Sequence, residues 1–130
     1  MSGFSVLLLD DEEDFLLSCG TWFSRRGYQV MMAHHPQDAL EAAANRHFDA
    51  AVVDGSFAEM DGAAFRALLS DTCNAPVIVV SGDAERDSIR AALFSGASRY
   101  LIKPVSLREI EAAVREAIAD RTLDEALPAR

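Results

Sequence analysis

Apolar residues in this chain fall into short, nearly unbroken runs, separated by longer stretches where they recur every three or four positions. The runs at 4–9, 28–32, 50–53, 76–80 and 99–102 have the length and the valine, leucine and isoleucine content of strands. The middle runs are apolar at consecutive positions, as parallel strands require when helices cover both faces. Helical spacing occupies the stretches between them. Phe15, Cys19, Trp22 and Phe23 recur over 12–26, Ala39, Leu40 and Ala43 over 36–46, and Phe65, Leu68 and Leu69 over 62–70. Ile89, Ala92 and Leu93 recur over 84–95. Gly27 suits the position after a helix end, and Pro36 suits a first helical turn. The last helix is the clearest, because Ser106 and Glu109 form a capping box and Leu107, Ile110, Val114, Ala117 and Ile118 draw one apolar face. Residues 121–130, with Pro128, read as a short polar tail or the start of a linker, frayed at its end.

Strands alternating with helices of ten to fifteen residues are the mark of βαβ units and a parallel sheet. Right-handed crossovers leave few topologies for five such units. The expected fold is α/β, a flavodoxin-like doubly wound sheet of five parallel strands in the order 2-1-3-4-5, flanked by five helices. Its switch point, where ligands bind in open α/β sheets, lies between the first and third strands.

The polar residues that end the strands converge on that same edge. The first run ends in Asp10-Asp11, the third in Asp54, the fourth in Ser81, and the fifth delivers Lys103-Pro104. Three carboxylates in one crevice repel each other unless a cation joins them. Magnesium favours oxygen donors and keeps several waters, so Asp11 and Asp54 suit direct ligation and Asp10 contact through water. Such an ion would neutralise an incoming phosphoryl group and align it for in-line attack by a carboxylate oxygen of Asp54. Lys103 would add a compact positive charge for the phosphoryl oxygens, the Ser81 hydroxyl would donate to another, and Gly82 would leave room beside it. Each residue alone has an ordinary explanation. An Asp after a strand is most often a helix cap, and a Lys-Pro pair is usually a turn. Four strand ends supplying the whole set in one chain make that explanation improbable.

Composition narrows the setting. A chain of 130 residues, half apolar and one quarter charged, suits one domain with a real core. No apolar run approaches the roughly 20 residues that span a bilayer, and no secretory leader precedes the first strand, so a cytoplasmic protein without membrane insertion is expected. A net charge of −9 argues against nucleic-acid binding by this domain. Cys19 and Cys73 match no metal spacing and read as free thiols. His34, His35 and His47 carry little weight; the first two fall in an expected loop, have no carboxylate or cysteine at ligand spacing, and read as exposed. Met31-Met32 reads as core, and Trp22 as helix packing.

From Ser5 to about Asp120 the chain resembles the receiver domain of two-component response regulators, within the CheY-like superfamily. The residues that carry the resemblance are Val6-Leu7-Leu8-Leu9-Asp10-Asp11-Glu12, Asp54 with Met60-Asp61-Gly62, Ser81-Gly82, and the stretch from Gly96 to Pro104. The resemblance implies a receiver domain over 1–120. It implies phosphorylation of Asp54 by the phosphohistidine of a sensor histidine kinase or phosphotransfer protein. It further implies Mg2+ held by Asp10, Asp11, Asp54 and the Ser56 carbonyl. Ser81 and Tyr100 would form the switch pair, reshaping the face made by the fourth helix, fifth strand and fifth helix for a downstream protein or output domain. The Lys103-Pro104 peptide is expected to be cis, the isomer that only X–Pro bonds adopt cheaply.

Several positions depart from the family pattern. Gly55 stands where an apolar residue is usual, Phe57-Ala58 replaces Met-Pro, and Arg99 occupies a position often acidic in regulators that dimerise through that face. No dimer is therefore assumed. Ser56 and Asp83 fall at the mouth of the crevice, and Asp83 is expected to influence dephosphorylation by orienting or repelling the attacking water. Phe94 lies off the apolar stripe of its helix, either half-buried or part of a partner-docking surface.

The expected function is a phosphorylation-dependent switch that is not a turnover enzyme. Two other classes compete. A haloacid-dehalogenase-like phosphatase also uses a strand-end Asp, a hydroxyl, a Lys and magnesium, but needs an Asp-x-Asp pattern where this chain has Asp10-Asp11-Glu12. A receiver fold serving only as a binding module would need no phosphorylation, against which the complete acidic set, Ser81 and Lys103 all speak.

Overall fold

The structure, a computed structural model, describes residues 3–55 and 62–127. Strands and helices alternate without exception along the described chain. They are β1 (Ser5–Leu9), α1 (Glu13–Arg25), β2 (Gln29–Ala33), α2 (Pro36–Asn45), β3 (Ala50–Asp54), α3 (Gly62–Cys73), β4 (Val77–Ser81), α4 (Arg86–Phe94), β5 (Arg99–Ile102) and α5 (Leu107–Ala126). All pairings are parallel, and the order is β2-β1-β3-β4-β5, as the sequence predicts.

The consecutive apolar positions divide between two cores. Leu7, Leu9, Ala51, Val53, Val77 and Val79 point to the face covered by Ala39, Phe65, Leu69 and Ala92 from α2, α3 and α4. Val6, Leu8, Ala50, Val52, Ile78 and Val80 point to the opposite face, against Leu16, Phe23, Ile110, Val114 and Ala117 from α1 and α5. Strand pleating sends alternate residues to opposite sides, so runs with no polar gap bury both. Among the described residues no helix is long and apolar enough to cross a membrane.

Several element ends follow from local chemistry. Gly27, at φ +91°, closes the end of α1 in a conformation that costs a glycine little. The Ser106 hydroxyl accepts from Glu109 N–H at 3.0 Å while the Glu109 carboxylate accepts from Ser106 N–H, completing the capping box. Three boundaries differ from the sequence reading. α3 runs on to Cys73, whose side chain is buried, and stops at Asn74 in the left-handed region. α4 begins two residues late, at Arg86, because the Asp83 carboxylate takes Glu85 N–H at 2.9 Å and holds the preceding turn. α5 continues through Ala126, where a polar tail is expected. Arg121 donates to Asn74 Oδ1 at 2.8 Å and to Glu125 at 3.0 Å, and the Thr122 hydroxyl donates to the Ile118 carbonyl, so this turn is tied down.

The methionine pair is split. Met31 packs against the core, but Met32 is 42% exposed, because β2 is an edge strand and this position faces the rim of α1. Its sulfur lies where a Cβ on Gly20 would come within 2.6 Å, so α1 approaches β2 closely only through that glycine. Both cysteines are free and buried, and His34 and His35 are exposed, as the sequence reading has them; His47 is exposed as well, beside Asp49.

One charged residue was not singled out. Glu111 is 5% exposed and ties α5 to α1 and to the residue before β2. It accepts from Trp22 Nε1 at 3.0 Å and from the Tyr28 hydroxyl at 3.2 Å, and it pairs with Arg26, whose guanidinium stacks on the Trp22 ring. Burial, with Glu111 second, pushes the Tyr28 hydroxyl up to about 12. Glu111→Ala leaves three donors without their acceptor and is expected to cost about 3 kcal/mol, with Glu111→Gln losing less. Urea unfolding followed by the fluorescence of Trp22, the single tryptophan, measures both.

Candidate functional site

Register brings the carboxylates together. Leu9 pairs with Val53, so Asp10 and Asp54 are neighbours one step beyond, and Asp54 itself pairs with Val80, one residue before Ser81. Oxygen atoms of Asp10, Asp11 and Asp54 lie within 4.8 Å of one another. Asp10 and Asp54 are buried and Asp11 is exposed. From the far side, Lys103 N–H donates to the Ser81 carbonyl at 2.8 Å, which fixes the root of its side chain. Its Nζ then stands 3.8 Å from both Asp10 Oδ2 and Asp54 Oδ1. The Lys103-Pro104 peptide is cis. Lys103 is also the only lysine in the chain, a signal the sequence reading passed over.

Burial pushes the Asp10 carboxyl up to about 6, with Asp54 and Asp11 raising it further, while Glu12 N–H at 2.8 Å and Lys103 oppose the rise. The hard oxygen donors of Asp10, Asp11 and Asp54 make an acidic cluster of the kind typical of a receiver metal site, and they fit a magnesium ion. The Cys19 thiol beneath Asp10 is pushed up to about 12, by burial first and by Asp10 second, and is unreactive near neutrality.

The expected switch residues meet at the backbone of one residue, Asp83. The Ser81 hydroxyl, buried, accepts from Asp83 N–H at 3.1 Å, and the Tyr100 hydroxyl donates to the Asp83 carbonyl at 2.6 Å. The Asp83 carboxylate turns toward α4, where Glu85 N–H and the Ser88 hydroxyl hold it below the usual range. A Cβ on Gly82 would meet no atom within 4 Å, so the space beside Ser81 is open. A Cβ on Gly55 would stand 3.0 Å from Ser81 Cβ and Val79 Cγ1, so this departure keeps β3 clear of Ser81. Arg99 reaches Asp120 on α5 at 2.5 Å, an internal pairing. Phe94 is 94% exposed, which leaves the docking reading of that residue standing. Ser56, Phe57, Ala58, Met60 and Asp61 lie outside the described residues. A larger cavity, about 680 Å³, opens between α1 and the start of α5 around Leu17, Trp22, Arg26 and Leu107, and includes none of the carboxylates.

Residues 6–115 match the family model for the response regulator receiver domain. The chain belongs to that family. It is 34% identical over 117 residues to the transcriptional regulatory protein KdpE of Mycobacterium tuberculosis, covering 90% of this chain and 52% of that one. It is 32% identical over 114 residues to the regulatory protein AtoC of Escherichia coli, covering 87% of this chain and 25% of that one. The chain thus spans from a quarter to about half of the length of these relatives. A CheY-like receiver domain protein from Methanospirillum hungatei superposes with a TM-score of 0.88 at 24% identity, over 95% of this chain and 99% of that one, and shares the fold. A response regulator from Burkholderia pseudomallei, solved with a phosphorylated aspartic acid, calcium ion and citrate, matches with a TM-score of 0.81 at 31% identity, over 95% of this chain and 73% of that one. A receiver domain is a signalling phosphoacceptor of two-component systems and not a catalytic enzyme, which removes the phosphatase alternative.

The raised Asp10 carboxyl has a signed consequence. Between pH 4 and 6 the folded receiver domain holds a proton that the unfolded chain has released, so its stability falls as pH rises through that window. In chelator, Asp10→Asn removes this proton linkage. It is therefore expected to gain roughly 2–3 kcal/mol on wild type between pH 4 and pH 7, read from urea unfolding at each pH.

Proposed function

We propose that this chain is a phosphorylation-dependent switch that accepts a phosphoryl group on Asp54 from the phosphohistidine of a sensor histidine kinase or phosphotransfer protein. It works in the cytoplasm, and its downstream protein or output domain is unidentified. The observation that carries the reading is the single lysine ammonium set equally between Asp10 and Asp54 at the edge where two strands deliver three carboxylates. A carboxylate oxygen of Asp54 attacks phosphorus, the bond from phosphorus to the imidazole nitrogen breaks, and the imidazole keeps the electron pair. Asp10, Asp11, Asp54 and the Ser56 carbonyl would hold magnesium, which would supply charge neutralisation. Lys103 contributes its charge to the phosphoryl oxygens, and Ser81 its hydroxyl.

Signal output follows from a competition for Ser81. At rest its hydroxyl accepts from Asp83 N–H, while the carbonyl of the same residue accepts from the Tyr100 hydroxyl. A phosphoryl group on Asp54 draws the Ser81 hydroxyl away, and the loop bearing Asp83 repositions with Tyr100. This favours one of two pre-existing arrangements of the α4–β5–α5 surface. Phe94, together with Ile102 at 44% exposure, gives that surface apolar ground for a partner.

Intact mass after incubation with acetyl phosphate tests the chemistry. Wild type with Mg2+ is expected to gain one phosphoryl group, and wild type in chelator and Asp54→Ala are expected to gain none. No adduct on folded wild type would favour a phosphorylation-independent binding module.

A further inference from the structure

Lys103 is anchored at its root by a backbone hydrogen bond to β4, but its four-carbon stem is flexible and its ammonium needs a resting place. Neither neighbouring carboxylate holds it closely, since both stand at 3.8 Å, beyond hydrogen-bond length. A third group faces it. The Phe15 ring, from the first turn of α1, has its centroid 5.2 Å from Nζ, inside the range at which an aromatic face attracts a cation. The ring is itself held, because Phe15 is half-buried against the core between the sheet and α1 and α5. It also lines the small cavity shared with Asp10 and Asp54.

We infer that Phe15 is a positioning residue for Lys103, holding the ammonium at the mouth of the crevice so that it meets the phosphoryl group transferred to Asp54. The inference rests on the phosphoacceptor reading above. An aromatic face suits this task better than a carboxylate or carbonyl would. It attracts the ammonium without taking any of its three N–H donors, and without adding negative charge to a crevice already crowded with it. The donors stay free for phosphoryl oxygens. Helical periodicity alone assigns Phe15 to the core, and the ring does pack there. Its second contact, with the only lysine of the chain, depends on α1 beginning at the sheet edge where β5 ends.

The test is the rate of phosphorylation by acetyl phosphate at saturating Mg2+, in a double-mutant cycle of Phe15→Leu and Lys103→Ala, with Phe15→Tyr as the variant that keeps the ring. Phe15→Leu is expected to slow wild type roughly 3- to 30-fold, the span of a cation–π contact, and to change nothing when Lys103 is Ala. Phe15→Tyr stays within about twofold of wild type, because it keeps an aromatic face. A second readout needs no activity. Chain labelled with ε-13C lysine gives one signal, from Lys103. Its ε protons are expected to be shifted upfield by the ring current in wild type and Phe15→Tyr, and not in Phe15→Leu. Equal rates for wild type and Phe15→Leu, an equal slowing with and without Lys103, or an unshifted ε signal in wild type would each overturn the inference. Wild type that shows the shifted signal but accepts no phosphoryl group contradicts the phosphoacceptor reading and leaves the contact intact.

Discussion

Mutual repulsion of three carboxylates at one sheet edge is the constraint on which the site depends. Parallel pairing in register leaves Asp10 and Asp54 side by side, and Asp11 follows from the same strand end. Water screens Asp11 but little of the other two, since both are buried. The single ammonium of Lys103 offsets part of this charge and leaves the crevice still negative. Burial first, and the neighbouring carboxylates after it, push the Asp10 carboxyl up to about 6. A site strained in this way favours whatever brings positive charge to it, and an ion there prepares the crevice for a phosphoryl group that brings more negative charge. The hydrophobic effect builds the sheet, and the sheet in turn enforces the repulsion.

The two sides of the molecule are held to different degrees. On one, α1 and α5 are locked by Glu111, which gathers Trp22, Tyr28 and Arg26 around one buried carboxylate. The same α1 presents Phe15 to Lys103, so that side of the crevice is a fixed frame. On the other, α4 buries only Ala92 and leaves Leu93 and Phe94 exposed. Its approach is set by the backbone of one residue, Asp83, which serves the Ser81 and Tyr100 hydroxyls together. Elements with few buried contacts are the ones that rearrange at low cost. A change at Ser81 therefore passes to α4 and β5 more readily than to α1.

Much of this was legible in the chain because burial on both faces leaves an unambiguous trace. Unbroken runs such as Val77 to Val80 admit one reading, and the polar residue ending each run marks the sheet edge. Strand order and the convergence of Asp10, Asp54, Ser81 and Lys103 follow from them. What escaped was what depends on contacts between distant elements. Glu111 sits within the stripe of Leu107, Val114 and Ile118, so a charge on that stripe was a usable signal, but its partners lie some eighty residues away. Phe15 fits a core stripe whether or not a lysine lies over it. The extra turns of α5 rest on Arg121 reaching Asn74, and the exposure of Met32 rests on β2 being an edge. No periodicity reports either of these.

The most direct test of the account is a calorimetric titration of the folded chain with Mg2+ near pH 7.5, beside Asp11→Asn and Asp54→Asn. Carboxylates held together against their repulsion should give saturable binding of one ion, with a rise in the thermal midpoint that follows occupancy, both weakened in each variant. Wild type with no saturable heat and an unchanged midpoint at millimolar Mg2+ would contradict the claim that the fold gathers these charges into a cation site.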